Sequence, residues 1–239
     1  MMSWWEEMMI PGDTDKRTLW LRWLGANALG ELLGLGMTFA VVAWMFSGIG
    51  DQAGTVAMLA SFFVAAASGA LEATLVGLAQ WWAMHPWFPA ITRRAWWLAT
   101  LVGALVAYVL GYLPSTLMSL GEGASQSQTA EPPQWLVLLL AAGLGAVAGA
   151  VLSFAQWLVL RKSAPRAGWW IPANMLAWLV GMPIIFWGID AAQKGQSLAQ
   201  TALLLAGCLL LTGAVVSGIH GVALVKLASP AGPRAEIAS

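Results

Sequence analysis

Hydrophobic residues fall into six long stretches separated by short polar connectors, over residues 19–46, 55–83, 95–118, 134–160, 169–190 and 198–226. Each is longer than the roughly 20 apolar residues that carry a helix across a bilayer. Leu, Ala, Val and Gly dominate them, as a hydropathy window requires of spanning helices. Pro114 and Pro183 fall inside the third and fifth stretches, where a missing backbone donor tends to kink a helix. The pattern predicts an all-α integral membrane protein, a six-helix bundle over 19–227. A segment 1–18 precedes it and a disordered tail 228–239 follows.

The stretches also repeat. Asn27, Thr100 and Asn174 each follow a Trp in the odd-numbered stretches, 73 and 74 residues apart. Gln80, Gln156 and His220 close the even-numbered ones, 76 and 64 residues apart. Trp23-Leu-Gly-Ala-Asn27 aligns with Trp170-Ile-Pro-Ala-Asn174, and Gly149-Ala-Val-Leu-Ser153 with Gly213-Ala-Val-Val-Ser217. Such spacing marks three tandem helical hairpins, about 19–83, 95–160 and 169–226, related by a pseudo-threefold axis along the membrane normal. Small residues four apart, such as Gly69, Ala73 and Gly77, or Gly145, Gly149 and Ser153, form ridges that let helix backbones meet in lipid. Gln80 and Gln156 lie three residues beyond a ridge member and share its face. A layer of Asn27, Gln80, Thr100, Gln156, Asn174 and His220 is therefore expected between the helices, one turn inside one membrane interface.

Composition fits lipid as solvent. The 239 residues are 59% hydrophobic and 9% charged, against about a quarter charged in soluble domains. A net charge of zero gives no reason to expect a nucleic-acid partner. Cys208 is the only cysteine, which excludes an internal disulfide or a multi-cysteine metal site. The acidic, polar first sixteen residues and the long first stretch do not resemble a cleaved signal peptide. Ten of the eleven basic residues lie on one side of the alternating connectors, with only Lys194 on the other, which also carries Asp51, Glu122, Glu131 and Asp190. The positive-inside rule then places both termini in the cytoplasm of a cell whose inner membrane holds the bundle. Tryptophans crowd the same side: Trp20, Trp23, Trp81, Trp82, Trp87, Trp96, Trp97, Trp157, Trp169 and Trp170, with Trp44, Trp135 and Trp187 opposite. They are read as interfacial belts. Met1 to Ile10, with Trp4, Trp5 and Met8 among acids, is a candidate surface segment.

Departures from the repeat carry the chemistry. Glu31 stands where the third hairpin has Trp178, and Glu72 where the others have Ala148 and Thr212. Asn27, Glu31 and Gly34 share one helical face, and Glu72, Val76 and Gln80 another. At 1.5 Å per residue, Glu31 lies about 12 Å in from Trp23 and Glu72 about 15 Å in from Trp82, so an antiparallel pair brings them to similar depth. A charge there costs roughly 2.5–3.5 kcal/mol on insertion scales, so each carboxyl is protonated or has a partner. If the bundle closes, the sixth helix meets the first and His220 becomes the candidate partner of Glu31. Glu31, Glu72 and His220, with Asn27, Gln80, Gln156 and Asn174, form the expected ligand- or proton-binding set. The competing reading is that the amides and hydroxyls are helix glue, worth about 0.6 kcal/mol per contact.

Catalytic signatures are missing. Leu152-Ser153-Phe154 lacks the Gly-x-Ser-Gly of rhomboid intramembrane proteases, and Ser217 precedes His220 by three residues on one helix, a poor nucleophile–base geometry. Neither a zinc motif nor a phosphate-binding glycine loop is present. His220 is a candidate haem ligand, but His85-Pro86 sits in a connector and makes no second one. The phrase Gln156-Trp-Leu-Val-Leu-Arg161 followed by Trp169-Trp170 resembles a pattern in uncharacterised bacterial polytopic membrane proteins. The resemblance covers the second and third hairpins and part of the first, where Gln80-Trp-Trp-Ala-Met-His85 lacks the Arg. It implies a repeat fold and membrane location alone. The expected function is non-enzymatic: binding or translocating a small molecule or proton inside the bundle. The alternative is a structural or accessory subunit, with a membrane-protein partner or a second copy against it.

Overall fold

The computed structural model describes residues 13–48, 55–121, 132–192 and 197–228, and every regular element among them is helical. The helices are α1 (Asp13–Gly48), α2 (Thr55–Met84), α3 (Arg93–Gly121), α4 (Gln134–Leu160), α5 (Trp170–Ala192) and α6 (Leu198–Ala228), with a 3-10 turn, Ala167–Trp169, leading into α5. All six are long and apolar enough to cross a membrane, and the chain is a multi-pass membrane protein. The helices contain the six hydrophobic stretches almost entirely. α1 begins earlier, at Asp13, and Asp15 in its first turn complements the positive end of the helix dipole. Pro183 lies inside α5 without ending it. Met1–Ile10, the loop acids Asp51, Glu122 and Glu131, Lys194 and the tail from Ser229 lie outside the described residues.

Each helix packs on its neighbours in sequence, and α6 packs on α1, so the six close into a ring. Every adjacent pair is antiparallel. Along α1 and α2, Asn27 meets Gln80, Gly34 meets Glu72 and Thr38 donates to the Ser68 carbonyl at 3.1 Å. The ridges of small residues make this closeness possible. A Cβ built on Gly34 would stand 2.8 Å from the Glu72 Cα, and one on Gly213 would stand 2.7 Å from the Ala28 Cα. Carbon atoms need about 3.5–4.0 Å, so only glycine allows those backbones to touch. The ridges expected from sequence are thus used inside the ring. Gly69, Ala73 and Gly77 are buried, as are Gly145, Gly149 and Ser153, and Gly213, Ser217 and Gly221.

Two cores fill the ring. One lies at the end bearing Lys16, Arg22, Arg93, Arg161 and Lys226, here called the basic end. It joins Leu19, Trp23, Met84, Phe88, Trp96, Leu160, Trp170 and Leu224, and it includes the two connectors at that end through Ile91 and Ala164. Trp81 donates its indole N–H to the Ile91 carbonyl at 3.0 Å and ties the α2–α3 connector down. The second core lies deeper, with Leu35, Ile185 and Leu209 packed against Leu32, Phe39, Trp178 and Met182. Leu29, Leu33, Val102, Leu139 and Leu176 are among the large apolar side chains left on the outside, where lipid replaces protein as their surroundings.

The belt reading of the tryptophans needs correction. Trp82, Trp135, Trp169 and Trp187 are exposed and suit an interface, but Trp23, Trp96 and Trp170 are 0% exposed. The reason is a hydrogen-bond donor buried with its indole. In a dry interior such a donor needs an acceptor, and each of the three has one.

Candidate functional site

At the basic end, α1, α3 and α5 repeat one local arrangement. The Asn27 amide donates to the Trp23 carbonyl at 2.7 Å, the Thr100 hydroxyl to the Trp96 carbonyl at 3.0 Å, and the Asn174 amide to the Trp170 carbonyl at 2.8 Å. A second contact is repeated across helices. The indole N–H of Trp23 donates to His220 Nδ1 at 2.9 Å, that of Trp96 to Gln80 Oε1 at 3.1 Å, and that of Trp170 to Gln156 Oε1 at 3.0 Å. An indole nitrogen can only donate, so His220 Nδ1 must present its lone pair, which fixes the Nε2–H tautomer.

Side-chain amides join these units. Gln80 Nε2 donates to Asn27 Oδ1 at 2.8 Å, and Gln156 Nε2 donates to Gln80 Oε1 and Thr100 Oγ1, each at 3.0 Å. Both glutamines therefore use the oxygen and the nitrogen of their amides. The rings complete the layer: Trp23 and Trp170 stand edge to face at 5.8 Å between centroids, and Trp96 lies 6.2 Å from Trp170. His220 sits 5.5 Å from Trp23 and 5.3 Å from Trp170. All six helices contribute a member.

The carboxyls lie deeper. Glu72 is packed over Gly34, and its Oε2 accepts the phenol proton of Tyr108. The Tyr108 ring lies against Gly69 of α2, where a Cβ would be 2.6 Å from it. Glu31 is 3% exposed and is held between α2 and the Gly213 position of α6. Glu72 lies at similar depth, packed on Gly34 one turn further along α1. Two buried oxygens in this half of the bundle have no hydrogen-bond partner among the described residues, Glu31 Oε2 and Thr212 Oγ1. An unpaired buried polar atom costs roughly 1–3 kcal/mol, so a protein that keeps one asks for an explanation.

The structure thus brings the expected residues together as two groups. Asn27, Gln80, Gln156 and Asn174 share one layer with Thr100 and His220, while Glu31 and Glu72 form a separate pair. α6 does close against α1, but His220 is not beside Glu31. It is bonded to Trp23, eight residues back along α1, a separation of about 12 Å. Tyr108, Thr212 and the three buried indoles were not among the expected site residues. The indoles share the 73- and 74-residue spacing of their asparagine and threonine neighbours, a signal that separates them from belt tryptophans. Tyr108 is marked by its place opposite a glycine of a small-residue ridge.

At the surface of the basic end, the Arg22 guanidinium lies 4.5 Å from the Trp82 ring centroid and 5.7 Å from that of Trp87, and donates to the Trp82 carbonyl at 3.1 Å. Among the described residues no group of three or more His, Cys, Asp or Glu side chains is placed to hold a metal ion. Compared with family models, curated proteins and solved structures, the chain matches none.

Proposed function

We propose that this is a non-enzymatic inner-membrane protein of three tandem hairpins that binds or translocates a proton or small molecule at Glu31 and Glu72. One observation carries the reading: the Glu31 carboxyl is buried, with one oxygen that has no hydrogen-bond partner among the described residues. Ionisable groups inside a membrane are costly, and the usual reason for keeping them is function. The repeated Trp contacts around the ring support the three-hairpin reading. The nine described basic residues of one end support its placement in the cytoplasm with both termini.

The amide layer takes a different role in this proposal. Asn27, Gln80 and Gln156, with Thr100, His220 and the three indoles, bond across the helices and hold them in register. Asn174 bonds back to the Trp170 carbonyl of its own helix, and binding is left to the carboxyls. That saturated layer is also what favours the second reading, a structural or accessory subunit. Against it, the small-residue ridges a partner helix would use are already buried in the ring.

Native mass spectrometry from a mild detergent separates the readings, comparing wild type with a Glu31→Gln, Glu72→Gln double variant. A stoichiometric small-molecule adduct lost in the variant identifies a bound molecule. A bare chain in both leaves the proton as the ligand. A second polypeptide that stays bound to wild type and variant alike contradicts the proposal and supports the accessory role.

A further inference from the structure

Resting on the carboxyl pair as the binding site, we infer that its ligand is the proton and that exchange occurs only with the end opposite the basic one, past Tyr108 and Tyr112. Space argues first for the proton. α1 and α2 are in backbone contact at Gly34 and Glu72, where even a methyl group would stand 2.8 Å from a Cα. No molecule fits between α1 and α2 at that contact, whereas a proton on a carboxyl oxygen needs no room. The available chemistry agrees. Glu72 of α2 packs on Gly34, one turn along α1 from Glu31, and accepts a hydrogen bond from Tyr108 of α3. From α6, His220 lies toward the basic end with Nδ1 committed to Trp23, and Cys208 is turned against Gly188 of α5. Two carboxyls and a phenol are groups that hold and pass protons.

Direction follows from the difference between the two ends. Toward the basic end, any water chain must cross the layer where Trp23, Trp96 and Trp170 are 0% exposed and Gln80 and Gln156 have both amide ends engaged. Toward the other end there is a line of phenols. Tyr108 donates to Glu72, and Tyr112 lies one turn further on the same face of α3 with its ring centroid 5.8 Å away. Tyr112 is 36% exposed and lies about 28 Å along α3 from Arg93 at the basic end, at 1.5 Å per residue, close to the roughly 30 Å thickness of a hydrocarbon core. It therefore lies where the bilayer gives way to headgroups and water.

Protein reconstituted into sealed vesicles, in mixed orientation, provides the test. The pH is jumped outside only, and the infrared band of protonated carboxyls is followed before the interior equilibrates. Orientation is measured independently, as the fraction of chains whose basic end, with Arg93 and Arg94 at the start of α3, external trypsin cannot cut. The band is expected to change only in that protected fraction. Tyr108→Phe should slow the change about tenfold, the rate equivalent of losing one hydrogen bond to a carboxyl. A response from all the protein, or from the trypsin-cut fraction, overturns the one-sided route while leaving the carboxyl site intact. An unchanged response in Glu31→Gln and Glu72→Gln overturns the site itself, and so does the absence of any titrating band.

Discussion

Two polar regions occupy this bundle, and they are built on opposite rules. The layer at the basic end pairs its donors and acceptors across six helices, with three indoles, two glutamines and a histidine in repeated contacts. The carboxyl region shares the same dry interior but leaves Glu31 Oε2 and Thr212 Oγ1 without a hydrogen-bond partner among the described residues. Burial alone therefore does not distinguish structure from function here; satisfaction does. A saturated network holds helices, because each bond replaces one that lipid cannot offer. An unsatisfied carboxyl adds little to stability, which is why Glu31 is given the binding role in the proposal.

Substitutions can break or sharpen that contrast. The largest effect is expected from Gln156→Leu, which strands the Trp170 indole N–H and removes the bonds to Gln80 and Thr100. It should cost about 3 kcal/mol in a detergent unfolding titration, since several buried groups lose partners at once. Gly34→Ala comes next, at about 2 kcal/mol, because the new methyl meets the Glu72 backbone, which cannot move aside as a flexible side chain would. His220 tests the repeat itself. His220→Leu should cost about 1–2 kcal/mol by orphaning the Trp23 N–H. His220→Gln, which copies the acceptor used at Gln80 and Gln156, should fall within about 0.5 kcal/mol of wild type, the ordinary scatter of a tolerated substitution. If the glutamine is as damaging as the leucine, the three contacts are not equivalent. The smallest effect belongs to the carboxyl region: Glu31→Leu should be neutral or stabilising by up to about 1 kcal/mol, because it deletes an unpaired polar group. A loss of several kcal/mol there would make Glu31 a member of the scaffold.

The helices were legible because lipid imposes a simple rule on sequence: long apolar runs, charges at their ends and small residues where backbones meet. The members of the amide layer were legible for a related reason. Asn27, Thr100 and Asn174 stand out as polar residues at one repeated position, and so do Gln80, Gln156 and His220. Their pairing was not legible. Trp96 bonds to Gln80 and Trp170 to Gln156, each across a boundary between hairpins, and Trp23 reaches His220 only because the ring closes. Tryptophan is also ambiguous by nature, since its apolar body and single donor suit a membrane interface and a paired core position equally. Ring closure puts α6 beside α1 without fixing their register, so sequence alone makes His220 a candidate partner of Glu31, whereas it stands about 12 Å further along, at Trp23. The Tyr108–Glu72 bond depends on that same register, set by glycine contacts such as Gly69 against the ring, which spacing alone does not specify.

The most direct test of the central claim is an infrared titration of the reconstituted protein, following the protonated-carboxyl band as pH is varied. The expected result is a titrating component that diminishes in Glu31→Gln and in Glu72→Gln and is lost in the double variant, which keeps only the band of its remaining carboxyls, with the fold intact in all three. A titration in the double variant identical to that of wild type would contradict the claim and leave the bundle as a scaffold.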